Sequence, residues 1–405
     1  MQDIYVISSR GPEKSAQKGI SVKLSQSHPF AFLRLKNKLL FPSHLQAKTR
    51  QFGDPRNLNT VLQTERGTID KSLAPFLTHP TATTSSFEFT PIGIDSPGNF
   101  KKMQLHGLPK EGEKSVPRVV CYYQTHFLNG EFVSILPLVT EKTGATHVVL
   151  AAIHLNAPAG NVTLNDDPYK SPKYERLWAE IRQLQRAGIK VLGMLGGAAQ
   201  GSYSRLDGTK EDFHSYYEPL REMIAWTGLD GLDLDVEEAM SLAGVIKLID
   251  YLKTDFGSDF IITLAPVATA MQNLQNLAGF DFEVLERAFG HKIAWYNTQF
   301  YCGWGNMGSI DDYEKIIRRG WQPDKIVVGV ITNPANCRGW VPEEELRESL
   351  TTLVRKYPNF GGVMGWEYFN SVTNDSKKGE PWKWAALMSE ILHSNDSSAD
   401  RDNQV

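Results

Sequence analysis

Eight short β-rich apolar runs, separated by amphipathic stretches of helical length, predict a single (β/α)8 TIM barrel over roughly the last 280 residues of this 405-residue chain. Two further observations agree. Glycines stand where the helices should end, and the fourth run carries an acid at every second position up to its C-terminal end, the end at which barrels of this kind place their chemistry.

The runs place strands at 118–123, 147–153, 190–196, 231–237, 260–265, 292–301, 325–330 and 361–366. Helices are expected between them at 174–187, 210–226, 241–256, 282–289, 311–319 and 342–356, with 382–392 closing the ring. Gly188, Gly228, Gly257, Gly290 and Gly320 are the expected left-handed helix stops. An open doubly wound sheet is the competing architecture. It lacks its signature, because Tyr122-Tyr123-Gln124-Thr125 is no phosphate loop and residues 196–201 have neither the dinucleotide spacing nor a P-loop lysine.

Residues 1–102 differ in texture. They carry fourteen Lys/Arg against seven Asp/Glu, and by subtraction from 43 and 46 the remainder holds 29 against 39. Apolar groups there are short and aperiodic, so this part is expected to be a basic, disordered extension, with an organelle transit segment or a true start at Met103 as alternatives. The catalytic domain is placed at 115–394 and a polar tail at 395–405. A net charge of −3 argues against a nucleic-acid partner, and the longest apolar stretches are too short for a membrane span. With no signal peptide visible, the expected location is cytoplasmic or non-classically secreted, and the expected state is a monomer. The three cysteines show no zinc or disulfide spacing. Cys121 and Cys302 are expected to pack, and reductant is expected to change neither stability nor rate.

The chemistry is most legible at residues 228–238, Gly-Leu-Asp-Gly-Leu-Asp-Leu-Asp-Val-Glu-Glu. In a strand, Leu232, Leu234 and Val236 would face the helices while Asp233, Asp235 and Glu237 point into the barrel. Three crowded carboxyls raise one another's proton affinity, which lets one stay protonated beside an ionised neighbour. A salt-bridge network is the bland reading, but no nearby Lys or Arg shares that face. A Mg²⁺ or Ca²⁺ site is the chemical rival. The other strand ends offer mainly Tyr, Trp, Gln and Gly, with His154 the only imidazole near one, so no metal or cofactor is expected.

These residues resemble glycoside hydrolase family 18, whose Asp-Gly-x-Asp-x-Asp-x-Glu signature is matched by Asp230, Gly231, Asp233, Asp235 and Glu237 on the fourth strand. Met194-Leu195-Gly196-Gly197 resembles its second signature, with Leu195 in place of the usual Ser. Gln299-Phe300-Tyr301, Gly365-Trp366 and Tyr122 resemble its sixth-, eighth- and first-strand positions. The resemblance runs from about Pro117 to Leu392. It implies that Glu237 protonates the glycosidic oxygen while the substrate's own acetamide attacks the anomeric carbon, a substrate-assisted departure from the two-carboxylate scheme. Asp235 would orient the acetamide, Asp233 would hold Asp235, Tyr301 would bond the acetamide oxygen, and Tyr122, Gln299, Trp366 and Gly197 would bind the sugar. Asp230 reads as a structural cap, and Trp304 as either a platform or a loop anchor.

The expected reaction is retaining hydrolysis of β-1,4 linkages in chitin or chito-oligosaccharides, the partner being an N-acetylglucosamine-containing polysaccharide or glycan. Endo-β-N-acetylglucosaminidase action on the N-glycan core is the close alternative, and a non-catalytic lectin the alternative of another class. The short interval between strands seven and eight leaves no room for an added module, so an open, shallow cleft is expected.

Overall fold

The computed structural model describes residues 117–394; the extension at 1–102 and the tail at 395–405 lie outside the described residues. Eight parallel strands form the barrel. They are β1 (Arg118–Tyr123), β2 (His147–Asn156), β3 (Lys190–Gly196), β4 (Gly231–Asp235), β5 (Ile261–Leu264), β6 (Trp295–Gln299), β7 (Ile326–Ile331) and β8 (Gly362–Trp366). Each pairs with its neighbours in chain order, and β1 closes the ring by pairing with both β8, at Arg118↔Gly362, and β2, at Val120↔His147.

Helices cover the outside: α1 (Pro137–Thr140), α2 (Glu175–Arg186), α3 (Ser202–Leu206), α4 (Lys210–Thr227), α5 (Leu242–Phe256), α6 (Phe282–Phe289), α7 (Asp311–Ile317), α8 (Glu343–Lys356) and α9 (Trp382–His393). Their ends follow local chemistry. Thr209 and Asp212 form a reciprocal capping box at the start of α4, and Gly228 ends that helix at φ 67°, its N–H bonded to the Ile224 carbonyl. Gly290 departs from expectation: at φ −55° it stays right-handed and begins a short 3₁₀ turn that carries the chain into β6.

The alternation read from the fourth run produces two packed layers. Leu232 and Leu234 join the shell between strands and helices, with Phe213 and Leu220 of α4 and Leu248 of α5. A smaller cluster, including Val120, Val149, Leu192, Met194, Val327 and Met364, fills the barrel. Two hairpins were not legible in the run pattern. One joins Phe127–Leu128 to Glu131–Phe132; the other folds Asn161–Leu164 back on the C-terminal half of β2, at Asn156↔Asn161 and Ile153↔Leu164, and adds Asp167–Pro168. Between β7 and β8 the described residues hold α8 and no second sheet, so no added module walls the barrel mouth there. No described helix is long and apolar enough to cross a membrane.

Candidate active site

The ladder forms, but it is shorter than its sequence pattern. β4 ends at Asp235 because β3 offers its last partner there, Gly196↔Asp235, and Gly197 N–H bonds the Asp235 carbonyl at 2.9 Å. Glu237 therefore stands two residues beyond the strand, on backbone freed from the ladder at the C-terminal mouth. Tyr301 likewise lies two residues beyond β6 rather than at its end. Gly197 is favoured by its backbone, at φ 84°, and it lies against the site: a Cβ there would stand 3.4 Å from Asp235 Oδ2.

Asp233 is fully buried and accepts hydrogen bonds from Tyr122 Oη (2.8 Å), Asn297 Nδ2 (3.0 Å) and Thr263 Oγ1 (2.5 Å). Burial raises its pKa, and the three donors oppose that rise. Asp235 has poorer support. Gln299 Nε2 reaches it at 3.3 Å and is shared with Glu237 Oε1 at 3.3 Å and the Ala265 carbonyl at 2.9 Å. Burial, then the charges of Glu237 and Asp233, push the Asp235 pKa well above the usual carboxylate range. Burial also raises the Glu237 pKa, with Gln299 opposing. All three carboxyls thus have raised proton affinity: donors oppose the rise at Asp233 and Glu237, whereas at Asp235 neighbouring charges add to it.

The other anticipated residues converge on the same mouth. Tyr122 pairs its bond to Asp233 with a ring contact to Trp366, 5.7 Å between centroids. Tyr301 and the half-buried Trp366 pack against the interior cluster, and the Tyr301 hydroxyl makes no hydrogen bond to a described residue. That hydroxyl is open to a ligand. Asp230 lies at the opposite end of the barrel, where its carboxylate accepts from Val191 N, Gln185 Nε2 and Lys190 Nζ, a structural tie as expected. Trp304 packs against the outer core, as a loop anchor would.

Several contributors went unseen in the sequence. Thr263 was hidden because a single inward polar residue on an apolar strand gives no pattern, whereas Asn297, two residues before Gln299 on β6, had period two as its available signal. Glu238, beside Glu237, does a different job: its Oε1 accepts from Gly201 N and Tyr203 N at the start of α3. Glu367 is buried after Trp366 and accepts from Gln124 N, Thr125 N and Thr125 Oγ1, tying the end of β8 to that of β1. Trp340, 36% exposed, adds an aromatic on the loop after β7.

The cysteine expectation is corrected. Cys302 and Cys337 form a disulfide, with Cα atoms 5.5 Å apart and a sequence separation of 35, joining the loops after β6 and β7. Their sequence separation concealed what parallel neighbouring strands bring together. Cys302 N–H donates to the Arg338 carbonyl (2.9 Å) and Arg338 Nε donates to the Cys302 carbonyl (3.1 Å), so the residue after Tyr301 is held on three sides. Cys121 alone remains free among the described cysteines, buried, its thiol pushed up to about 12. Loop-closure entropy for such a crosslink is about 3–4 kcal/mol. Reduction, or a Cys302→Ser/Cys337→Ser pair, is therefore expected to lower the calorimetric melting temperature by roughly 5–10 °C. An unchanged melting temperature would show that the bond contributes nothing.

The profile described as "Glycosyl hydrolases family 18" matches residues 118–398. Among solved structures, a chitinase from Aspergillus fumigatus is 54% identical, with 68% of this chain and all of that chain covered at a TM-score of 0.63. A fungal endo-β-N-acetylglucosaminidase is 44% identical, with 69% and 99% covered and a TM-score of 0.66. Chitinase D of Niallia circulans is 33% identical over 250 residues, 50% of this chain and 47% of that protein. The chain spans about half, or less, of the length of most curated relatives it matches.

Proposed function

Because the chain belongs to glycosyl hydrolases family 18, we propose that it hydrolyses β-1,4 bonds next to N-acetylglucosamine in chitin or chito-oligosaccharides, with retention of configuration and with the substrate's acetamide as nucleophile. The observation that carries this reading is the linked pair Asp235 and Glu237, both with raised proton affinity, at the barrel mouth beside a free Tyr301 hydroxyl. Glu237, the more exposed of the two, donates its proton to the leaving oxygen. Asp235 lies deeper, where it orients the acetamide N–H and answers the positive charge of the forming oxazolinium ion. Tyr301 donates to the acetamide oxygen, Trp366 floors the pocket, and Asp233 keeps negative charge behind Asp235. A lectin would need none of this proton chemistry.

Two inversions at one carbon, first by the acetamide and then by water, make the first-formed product the β-anomer. Proton NMR during early turnover of chitohexaose is expected to detect β-anomer ahead of mutarotation. Initial α-anomer would exclude the acetamide route and reassign Asp235 as a base for direct attack by water. The N-glycan chitobiose core is the second substrate reading, favoured by the 44% identical endo-β-N-acetylglucosaminidase. Mass spectrometry of products from chitohexaose and from a high-mannose glycopeptide, run side by side, separates the two.

A further inference from the structure

We infer that the bridge between Cys302 and Cys337 is a positioning device for the reaction: it clasps the backbone that carries Tyr301 to a loop hooked on the end of β8, and so holds the Tyr301 hydroxyl where it meets the substrate acetamide. This rests on the hydrolase reading above. Tyr301 stands two residues beyond β6, outside the ladder, and its hydroxyl bonds to no described residue, so its backbone and its packing set its place.

The backbone there is shaped against its own preference. Cys302 (φ 56°) and Gly303 (φ 93°) are both left-handed, and a residue with a side chain keeps that conformation where neighbouring contacts impose it. The loop after β7 supplies those contacts. Cys302 N–H donates to the Arg338 carbonyl (2.9 Å), and Arg338 Nε donates to the Cys302 carbonyl (3.1 Å). Arg338 lies so close over Gly303 that a Cβ there would collide with its guanidinium, and Gly339 passes beside Tyr301, where a Cβ would stand 3.5 Å from the Tyr301 Cα.

That loop is itself anchored at the floor of the site. The Trp366 carbonyl accepts from Thr332 N (2.9 Å) and from Nδ2 of Asn336 (2.8 Å), the residue next to Cys337. Asn336 Oδ1 in turn accepts from Asn370 Nδ2 at 2.6 Å. Contacts therefore run from Trp366 through Asn336 and Cys337 to Cys302 and Tyr301, and the disulfide is the covalent link between the two loops. Both cysteines are half-buried and pack against the interior cluster that contains Tyr122 and Tyr301, so the crosslink acts on the site rather than on the helical shell. Opening it leaves Trp366 on its strand and frees Tyr301. The loss falls on the chemical step, because stacking survives while the placement of one donor is degraded.

The test is kinetics on chitotetraose before and after dithiothreitol, at a temperature where melting curves show the reduced protein folded. The dithiol gives the bridge two electrons and two protons, leaving two cysteine thiols and closing to its own cyclic disulfide. Thiol titration of the denatured chain, which has three cysteines, is expected to rise from one to three. On reduction kcat is expected to fall about tenfold, the effect of one misplaced hydrogen bond, with KM changed less than about twofold. Cys302→Ser/Cys337→Ser is expected to reproduce this and to ignore the reductant. In a Tyr301→Phe background, where the hydroxyl is already gone, reduction is expected to cost less than about twofold more. Free thiols at all three cysteines before reductant, or an unchanged kcat once the bridge is open, overturns the inference and leaves the hydrolase reading standing. So does a loss of about tenfold added to that of Tyr301→Phe, which would mean that the bridge acts through another group. A rise in KM alone would overturn it by showing that the bridge shapes binding only, and unfolding of both the reduced protein and the double variant by showing that it holds the fold. An oxidised wild type inert on chitotetraose removes the two readings together.

Discussion

Glu237→Gln is expected to lower turnover of chito-oligosaccharides by about 10² to 10⁴, the usual worth of a positioned general acid, with melting temperature and sugar affinity near wild type. The structure gives reasons for each half of that result. Glu237 is only partly buried and its carboxyl accepts one hydrogen bond, from Gln299 at 3.3 Å, which the amide oxygen of Gln can still accept while its NH₂ turns to solvent. Fold and pocket therefore survive. What is lost is a proton of suitable affinity, held there because burial raises the pKa of the carboxyl. The same shift sets the pH dependence. A raised pKa keeps Glu237 protonated to higher pH than an exposed glutamate, so activity should decline only as pH rises through that shifted value. Steady-state kinetics with binding measured by calorimetry checks both halves; turnover above about a tenth of wild type would mean that the acid lies elsewhere.

The second large effect is expected at the nucleophile. An oligosaccharide with glucosamine in place of N-acetylglucosamine on the glycone side of the bond should bind and not be cut there, because stacking on Trp366 needs no acetyl group whereas ring closure by the acetamide does. Asp235→Asn should lower turnover by about 10² to 10³, the range for removing one preorganised electrostatic contact to a transition state. Burial and the charges of Glu237 and Asp233 hold Asp235 toward its protonated form. The positive charge growing on the acetamide favours negative charge on Asp235, which a neutral amide cannot supply. Ready cleavage of the deacetylated substrate, or an Asp235→Asn variant as active as wild type, would end the case for substrate assistance.

Much of this was legible because barrels translate sequence period directly into geometry. The alternation Leu232, Asp233, Leu234, Asp235 could be sorted into helix-facing and interior sets from strand geometry alone, and the structure buries the leucines in the outer shell and Asp233 and Asp235 inside. The first and third strands end where their apolar runs end, at Tyr123 and Gly196. Boundaries failed where pairing rather than propensity decides them: nothing in Val236-Glu237 says that the neighbouring strands have stopped offering partners.

The sequence by itself determined the count of βα units and the identity of the acids, because both depend on local period and residue type. Only the tertiary structure decided how the proton affinity of each acid is set. That depends on Tyr122, Thr263 and Asn297, from three other strands, converging on Asp233, while Gln299 divides one amide between Asp235 and Glu237. It also decided that Cys302 meets Cys337, and that a hairpin folds back on the C-terminal half of β2. Each of these joins residues distant in sequence, and such contacts are set by strand order and register, which no local pattern encodes.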